Sequence, residues 1–240
     1  MAELLTERIV FPGGRTALCV RAPEETDAQS LIAALDLSEP RALLILNGGT
    51  AELDAHVAAS LEELFSAAAR TVIEQGFTVI TGATDAGIFR LFGDALEKAG
   101  TLSAPCIGVT SAGQVKPSDL EPHHTHFVLV EVEEWSESVP LMYRLAAELS
   151  RRCPSLVLFA SGGEITIDEM RQNVEQGREM IVIAGSGRSS DALTAALRGE
   201  PSAVEPFKSI AREARVTVFD LAEPPAALSN LIRSRLAKRV

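Results

Sequence analysis

Residues that could perform acid–base or phosphate chemistry are grouped in Ser161–Met170, which reads SGGEITIDEM. The stretch follows a short apolar run, so it is predicted to connect a strand to a helix. Its two glycines would let backbone N–H groups approach a phosphate, and Asp168 or Glu169 could act as an acid or base. The alternative is an ordinary helix start, where acidic side chains gain about 0.3–1 kcal/mol from the helix dipole. These residues alone leave both interpretations open.

Short apolar runs alternate with amphipathic segments along most of the chain. The runs lie at 43–46, 77–80, 106–109, 127–130, 156–160 and 180–183. The segments between them have helical spacing, and the longest extends from Asp54 to about Gln75. Nearly uninterrupted apolar strands that alternate with helices are typical of a parallel sheet buried on both faces. The sequence therefore predicts an α/β fold, with a Rossmann-like, doubly wound, mostly parallel sheet and helices on both faces.

A single domain with additions at both ends is predicted. Residues 1–39 are expected to form a strand pair and a helix, and residues 40–200 the main Rossmann-like ligand domain. Residues 201–240 are expected to add a strand and a helix that pack on the same domain. The basic end of this last helix, which includes Lys238 and Arg239, suits the negative end of the helix dipole.

Four of the predicted strands end in turns that are rich in glycine, serine and threonine. These turns read NGGT at 47–50, TGATDAG at 81–87, SGGEIT at 161–166 and AGSGRSSD at 184–191. In an open parallel sheet, ligands bind at the carboxyl ends of the strands, and such turns suit phosphate groups. Four of them on one edge predict a nucleotide or sugar-phosphate site. None matches GxGxxG or GxxxxGK[ST], which disfavours an ordinary dinucleotide dehydrogenase or a P-loop NTPase.

The candidate ligand contacts are the small and polar residues of these turns, with one histidine added. They are Gly48, Gly49, Thr50, Thr81, Gly82, Thr84, Gly87, His126, Gly162, Gly163, Thr166, Gly185, Ser186, Gly187, Ser189 and Ser190. Arg188 could pair with a phosphate or cover the start of a helix. Trp135 could stack on a base, although a packing role is favoured.

Three of the four histidines lie in one segment, Glu121–His126, which reads EPHHTH. His126 with either His123 or His124 could reach one metal ion. Hydrogen bonding within a ligand loop, or at the start of a strand, is favoured instead. We therefore predict no metal site and no required cofactor beyond a bound nucleotide or ADP-ribose-like ligand.

The composition restricts the partners of the chain. Its formal net charge of −11 disfavours nucleic acid and anionic membrane surfaces. No run approaches the roughly 18 apolar residues that span a bilayer, and the N-terminus does not resemble a signal peptide. The three cysteines lie far apart and form no disulfide framework. A cytoplasmic protein that binds a small molecule is expected.

The segments TGATDAGIFR, HTHFVLVE, SGGEITIDEM and AGSGRSSDAL occur in this order. Together they resemble the SLOG superfamily, and more narrowly its prokaryotic LSDAT branch, which is related to the N-terminal region of TRPM cation channels. The resemblance covers about residues 40–200. It implies a Rossmann-like fold and a pocket for nucleotide-derived ligands, with ADP-ribose-like molecules as candidates. Members of this group are regarded mainly as ligand sensors or ligand processors.

A more distant resemblance links the opening segment to the LOG, or lysine decarboxylase-like, phosphoribohydrolases. Their signature PGG-x-GT-x-x-E is matched here by Gly162, Gly163, Thr166 and Glu169. Ser161 stands in place of the proline and Ile165 in place of a glycine. A β-branched residue is strongly disfavoured at positive φ, so we expect the loop to have another shape here.

The LOG resemblance implies a catalytic pair of Glu169 and Arg144, with Arg151 and Arg152 as rivals for the arginine. Cleavage of a ribosyl bond develops positive charge on the sugar, which a carboxylate can stabilise. The arginine would hold the phosphate.

Three functions are therefore considered, in order of preference. The first is a sensor or carrier of a nucleotide-derived ligand, either ADP-ribose-like or a nucleoside phosphate. The second is an enzyme that hydrolyses the N-glycosidic bond of a nucleoside monophosphate. The third is a structural partner in an assembly, with a vestigial pocket. The LOG resemblance also suggests a homodimer.

Overall fold

The predicted alternation of strands and helices is confirmed in a computed structural model that describes residues 4–237. The strands of this part of the chain are β1 (Thr6–Val10), β2 (Thr16–Ala22), β3 (Leu43–Gly48), β4 (Thr78–Thr81), β5 (Cys106–Ser111), β6 (His126–Val130), β7 (Ser155–Ala160), β8 (Glu179–Ala184) and β9 (Arg215–Asp220). The α-helices are α1 (Ala28–Ala34), α2 (Ala55–Gln75), α3 (Gly87–Ala99), α4 (Val139–Leu149), α5 (Glu164–Glu175), α6 (Arg188–Leu197), α7 (Phe207–Glu213) and α8 (Pro225–Leu236). Lys238 and Arg239, at the predicted basic end of α8, lie outside the described residues.

One sheet contains all nine of these strands, in the order β1-β2-β6-β5-β4-β3-β7-β8-β9. Only β1 and β2 pair in an antiparallel manner, and every other neighbouring pair is parallel. The chain moves outward from β3 to β6 along one half of the sheet and then returns to β7, next to β3. The topological switch point therefore lies between β3 and β7, where an open α/β sheet carries its ligand crevice.

The central strands are buried on both faces, as their apolar sequences predict. Leu43 and Ile45 belong to one hydrophobic cluster, which includes residues of α1 and α4. Leu44 and Leu46 belong to another, which includes residues of α2, α3 and α8. Successive side chains of a strand point to opposite faces, so one apolar run supplies both layers. The predicted doubly wound α/β fold is confirmed.

The longest helix begins and ends as its sequence predicts. The Asp54 carboxylate accepts a hydrogen bond from His56 N at 2.9 Å and so caps the first turn of α2. Gly76 ends the helix in the left-handed conformation, with φ of 64°. Helix α7 lies in a segment for which no helix is predicted, and its Phe207 and Ile210 are buried in the core. Within residues 4–237, no helix is long and apolar enough to cross a membrane.

Candidate functional site

A cavity of about 760 Å³ opens at the carboxyl ends of β3, β4, β5 and β7, beside the topological switch point. The turns that follow β3, β4 and β7 all contribute to its wall. The predicted site residues in this wall are Gly48, Gly49, Thr50, Gly82, Thr84, Gly163, Thr166 and Glu169. The structure thus brings residues of all four predicted turns and the predicted acid to one cavity, although the fourth turn contributes only Arg188.

Close packing of the turns explains two of the glycines. Gly48 has φ of 147°, and a Cβ atom there would lie 1.9 Å from the carbonyl oxygen of Ala160. Gly87, at φ of 49°, would place a Cβ atom 2.3 Å from the carbonyl oxygen of Gly49. No side chain fits at these distances. Gly48 lines the cavity, whereas Gly87 lies against the β3 turn and outside the cavity wall.

The AGSGRSSD loop forms its own hydrogen bonds. The backbone N–H groups of Gly185 and Gly187 donate to the Asp191 carboxylate, at 2.6 and 3.1 Å. These are the donors that the sequence analysis assigns to a ligand phosphate. The Asp191 carboxylate therefore occupies the place that was expected for a ligand phosphate.

The serines of the same loop form hydrogen bonds to the backbone of the SGG turn and do not line the cavity. Ser186 Oγ accepts from Ser161 N at 2.7 Å, and Ser190 Oγ donates to the Ser161 carbonyl at 2.8 Å. Ser189 Oγ donates to the Gly163 carbonyl at 2.9 Å. None of these three serines, nor Gly185, Gly187 or the buried Gly162, is in the cavity wall. Arg188, from the same loop, does line the cavity.

The SGGEITIDEM turn accommodates Ile165 within the first turn of α5. Helix α5 begins at Glu164, so Ile165 is helical and needs no positive φ. The left-handed residues come earlier, with φ of 58° at Ser161 and 118° at Gly162. Ile165 lines the cavity as an apolar residue.

Glu169 and Asp168 lie in opposite environments. Asp168 is exposed and forms an ion pair with Arg171 at 3.0 Å. Glu169 is 6% exposed and accepts hydrogen bonds from the Asn47 amide and the Thr166 hydroxyl. Burial raises the pKa of Glu169 to about 8, and the two donors only partly offset it. The cavity therefore contains an acid that holds its proton at neutral pH.

The predicted arginine partners do not meet Glu169. Arg144 is exposed, and its guanidinium group donates to the carbonyl oxygen of Glu24. Arg151 and Arg152 line a separate hollow between α1 and the end of α4. In the described chain, the arginines of the cavity wall are Arg90 and Arg188. Spacing in the sequence could not show that Arg144 fails to meet Glu169, because this depends on the direction in which α4 presents its side chain.

His126 and Thr81 also lie away from the ligand space. His126 is the first residue of β6, so it lies at the amino edge of the sheet, opposite the cavity. Burial lowers the pKa of His126, and its Nδ1 atom is 2.8 Å from Thr125 Oγ1. The Thr81 hydroxyl is fully buried and lies 2.7 Å from His124 Nε2.

A buried carboxylate fixes the loop between β5 and β6, which covers one side of the cavity. Glu121 bonds to His124 Nδ1 at 2.7 Å through one oxygen and to His123 Nδ1 through the other. Burial alone would raise the pKa of Glu121, but hydrogen bonds from the two histidines lower it to about 2. Glu121 N also donates to the Ala83 carbonyl at 2.8 Å. No cluster suited to a metal ion occurs among residues 4–237.

The cavity wall contains both polar and apolar side chains. One of the polar residues is Thr84, whose Oγ1 atom is buried and has no hydrogen-bond partner within residues 4–237. The large apolar residues of the wall are Phe89, Val109, Trp135, Val139 and Met142. The loop after β5 adds further polar residues that the sequence analysis missed, because this turn is not rich in glycine. They are Thr110, Gln114, Ser118 and Asp119.

The fold and this cavity define a Rossmann-like α/β protein with a ligand-sized crevice at the switch point of its sheet. The family described as SLOG in TRPM, prokaryote, matches residues 41–229, and the chain belongs to this family. The match includes β9 and extends beyond the predicted end at residue 200. A comparison with curated proteins finds no match.

Replacement of Glu169 by Gln should change how stability depends on pH. The folded state holds a proton that the unfolded state loses near pH 4.5, so the free energy of unfolding of the unmutated protein falls between about pH 5 and 8. The glutamine of Glu169→Gln does not titrate, so the variant does not lose this stability as the pH rises. The stability of the variant relative to the unmutated protein should therefore rise with pH, by up to about 1.4 kcal/mol per pH unit.

Urea denaturation across this pH range measures the difference. Asp168→Asn, at the exposed neighbour, is the matched control. A constant difference between Glu169→Gln and the unmutated protein would contradict a protonated Glu169.

Replacement of Glu121 by Gln should destabilise the protein at neutral pH. His124 would stay buried without its carboxylate, while the partly buried His123 would keep only Glu97, and breaking a buried pair costs about 3–5 kcal/mol. Chemical denaturation at pH 7 checks this, with Glu63→Gln on the exposed face of α2 as the control. Equal stability of the two variants would show that Glu121 does not anchor the loop.

Proposed function

We propose that this protein binds a nucleotide-derived ligand, either ADP-ribose-like or a nucleoside phosphate, and acts as a sensor of it. The observation that carries the proposal is the cavity of about 760 Å³ at the switch point. Its volume falls in the range of small-molecule sites, about 300–1,000 Å³. The family description supports a ligand role by analogy only, because a fold by itself does not define a function.

Several groups of the cavity wall suit phosphate and sugar groups. The backbone of Gly49 and Thr50 lies in the wall, and the start of α5 at Glu164 contributes its orphan N–H groups.

The charges of the wall suit a ligand of at most modest negative charge, because Asp119 and Glu164 lie in the wall together with the two arginines. Arg90 is neutralised by Asp85, with which it forms an ion pair at 2.9 Å. Arg188 is a cavity arginine that has no ion pair within residues 4–237. One available guanidinium group suits one phosphate or a diphosphate diester better than a triphosphate.

The apolar residues of the wall suit a base. Trp135 and Phe89 present aromatic rings, and Met142 adds a flexible apolar side chain. A wall that contains both aromatic rings and phosphate-binding groups suits an adenine nucleotide.

Arg188→Gln should weaken the binding of ADP-ribose by about 10- to 100-fold, as expected for one charge-assisted hydrogen bond. Isothermal titration calorimetry measures the affinity. Arg198→Gln, at an exposed position just beyond α6, is the matched control and should bind as the unmutated protein does. Failure of the unmutated protein to bind ADP-ribose, AMP or NAD would contradict the proposed function.

A second candidate function is hydrolysis of the N-glycosidic bond of a nucleoside monophosphate. The buried Glu169 in the cavity wall favours it, because a retained proton suits a general acid. The position of Arg144 outside the cavity wall weighs against it.

Chromatographic detection of adenine after incubation with AMP separates the two functions. Adenine release that Glu169→Gln abolishes would support the enzyme. Binding without release supports the sensor.

A further inference from the structure

A chain of buried hydrogen bonds leads from Arg178 to the cavity carboxyl of Glu169. Arg178 Nη1 lies 3.0 Å from Asn173 Oδ1, and Asn173 Nδ2 lies 2.6 Å from the Tyr143 hydroxyl. The Tyr143 hydroxyl lies 2.9 Å from Asn47 Oδ1, and the Asn47 amide donates to Glu169 Oε1. The three connecting side chains are buried and come from β3, α4 and α5.

The direction of this chain follows from its first member. A guanidinium group can only donate, so Asn173 must present its oxygen to Arg178 and its nitrogen to Tyr143. The same Asn173 nitrogen also donates to the Glu169 carbonyl oxygen at 2.8 Å, which confirms its orientation. Tyr143 then accepts from Asn173 and has its own proton left to donate to Asn47.

Asn47 is oriented in turn by Tyr143. With its oxygen accepting from the tyrosine, the Asn47 amide has only N–H groups left to offer Glu169. Glu169 Oε1 is therefore an acceptor, and a proton on this carboxyl group belongs on Oε2. Thr166 Oγ1 accepts from Gly163 N at 3.2 Å, so its own proton can also be donated to the carboxyl group.

We propose that Arg178 fixes the direction of this chain, so that Glu169 offers a proton on Oε2 to an acceptor atom of the ligand. Arg178, Asn173, Tyr143 and Asn47 are positioning residues, and Glu169 is the residue that meets the ligand. The inference rests on the proposed function, because it requires a ligand in the cavity. It adds that the ligand presents a hydrogen-bond acceptor, such as a phosphate or ribose oxygen, to Glu169.

Arg178 has no role in forming the cavity wall, yet it is buried and has no carboxylate partner within residues 4–237. It is 6% exposed, and its other hydrogen bonds go to Ser155 at 3.0 Å and Ser150 at 3.5 Å. A buried cation without an anion is costly. Fixing the direction of the hydrogen-bond chain would give Arg178 a role beyond packing.

Other charged groups surround the carboxyl and affect any pH dependence. Those that face Glu169 or the same cavity are Tyr143, Asp168, Glu164, Asp119, Arg188 and the Asp85–Arg90 pair. The experiment must therefore observe Glu169 itself. Carbon-13 labelling of the glutamate side-chain carboxyl groups allows this, and Glu169→Gln identifies the resonance by its loss.

Tyr143→Phe tests the chain without a change of charge. It frees the Asn47 amide to turn and present its oxygen, to which only a protonated Glu169 can donate. We expect the pKa of Glu169 to rise by about one pH unit, as for one typical hydrogen bond. An unchanged pKa in a variant that still unfolds cooperatively would overturn the proposal.

A pair of variants at Arg178 tests the origin of the direction. Arg178→Lys keeps an obligatory donor and should leave the pKa of Glu169 near that of the unmutated protein. Arg178→Gln can donate or accept, so only the Glu169 carbonyl oxygen still orients Asn173, and the pKa of Glu169 should rise. Equal pKa values of Glu169 in the two variants would show that Arg178 does not fix the direction of the hydrogen-bond chain. This comparison does not depend on whether Tyr143→Phe folds.

Binding of ADP-ribose as a function of pH tests the use of the proton. This probe has no phosphate monoester, whose second pKa of about 6 would obscure the result. The affinity should fall by up to about tenfold for each pH unit above the Glu169 pKa. Glu169→Gln, whose amide can donate from the same place, should lose this pH dependence.

An affinity that does not vary with pH in the unmutated protein would overturn the proton donation. Absence of binding to ADP-ribose, AMP and NAD alike would instead contradict the proposed function, and the carboxyl titration would then test the hydrogen-bond chain by itself.

Discussion

The site depends on the close approach of two turns at the switch point of the sheet. Gly48 and Ala160 are register partners at the ends of β3 and β7, and the backbone there leaves no room for a side chain on Gly48. This contact places the NGG and SGG turns side by side. The start of α5, and with it Glu169, thereby reaches the same cavity as the end of β3. A larger residue at position 48 would separate the two halves of the site.

The polar residues of the remaining loops serve mainly to support this junction. The AGSGRSSD loop uses Asp191 and its serines to hold itself and the SGG turn, and it contributes only Arg188 to the cavity wall. Glu121 holds the loop after β5 against the β4 turn. Polar residues can thus shape the cavity without lining it.

The fold could be predicted from the sequence because each central strand is one apolar run and each helix has a clear apolar face. The edge of the sheet at which the cavity opens also followed from the turn sequences. The individual roles did not, since they depend on the direction of each side chain. Spacing could not show that Arg144 is turned outward, that His126 begins its strand at the opposite edge, or that Asp191 occupies the N–H groups of its own loop.

The central claim is that the switch-point cavity binds a nucleotide-derived ligand. A crystal structure of the protein with ADP-ribose tests it most directly. The account predicts adenine against Trp135, a phosphate near Arg188 and the start of α5, and a ligand oxygen within hydrogen-bond distance of Glu169. Electron density for the ligand elsewhere on the protein, with the cavity filled only by water, would contradict it.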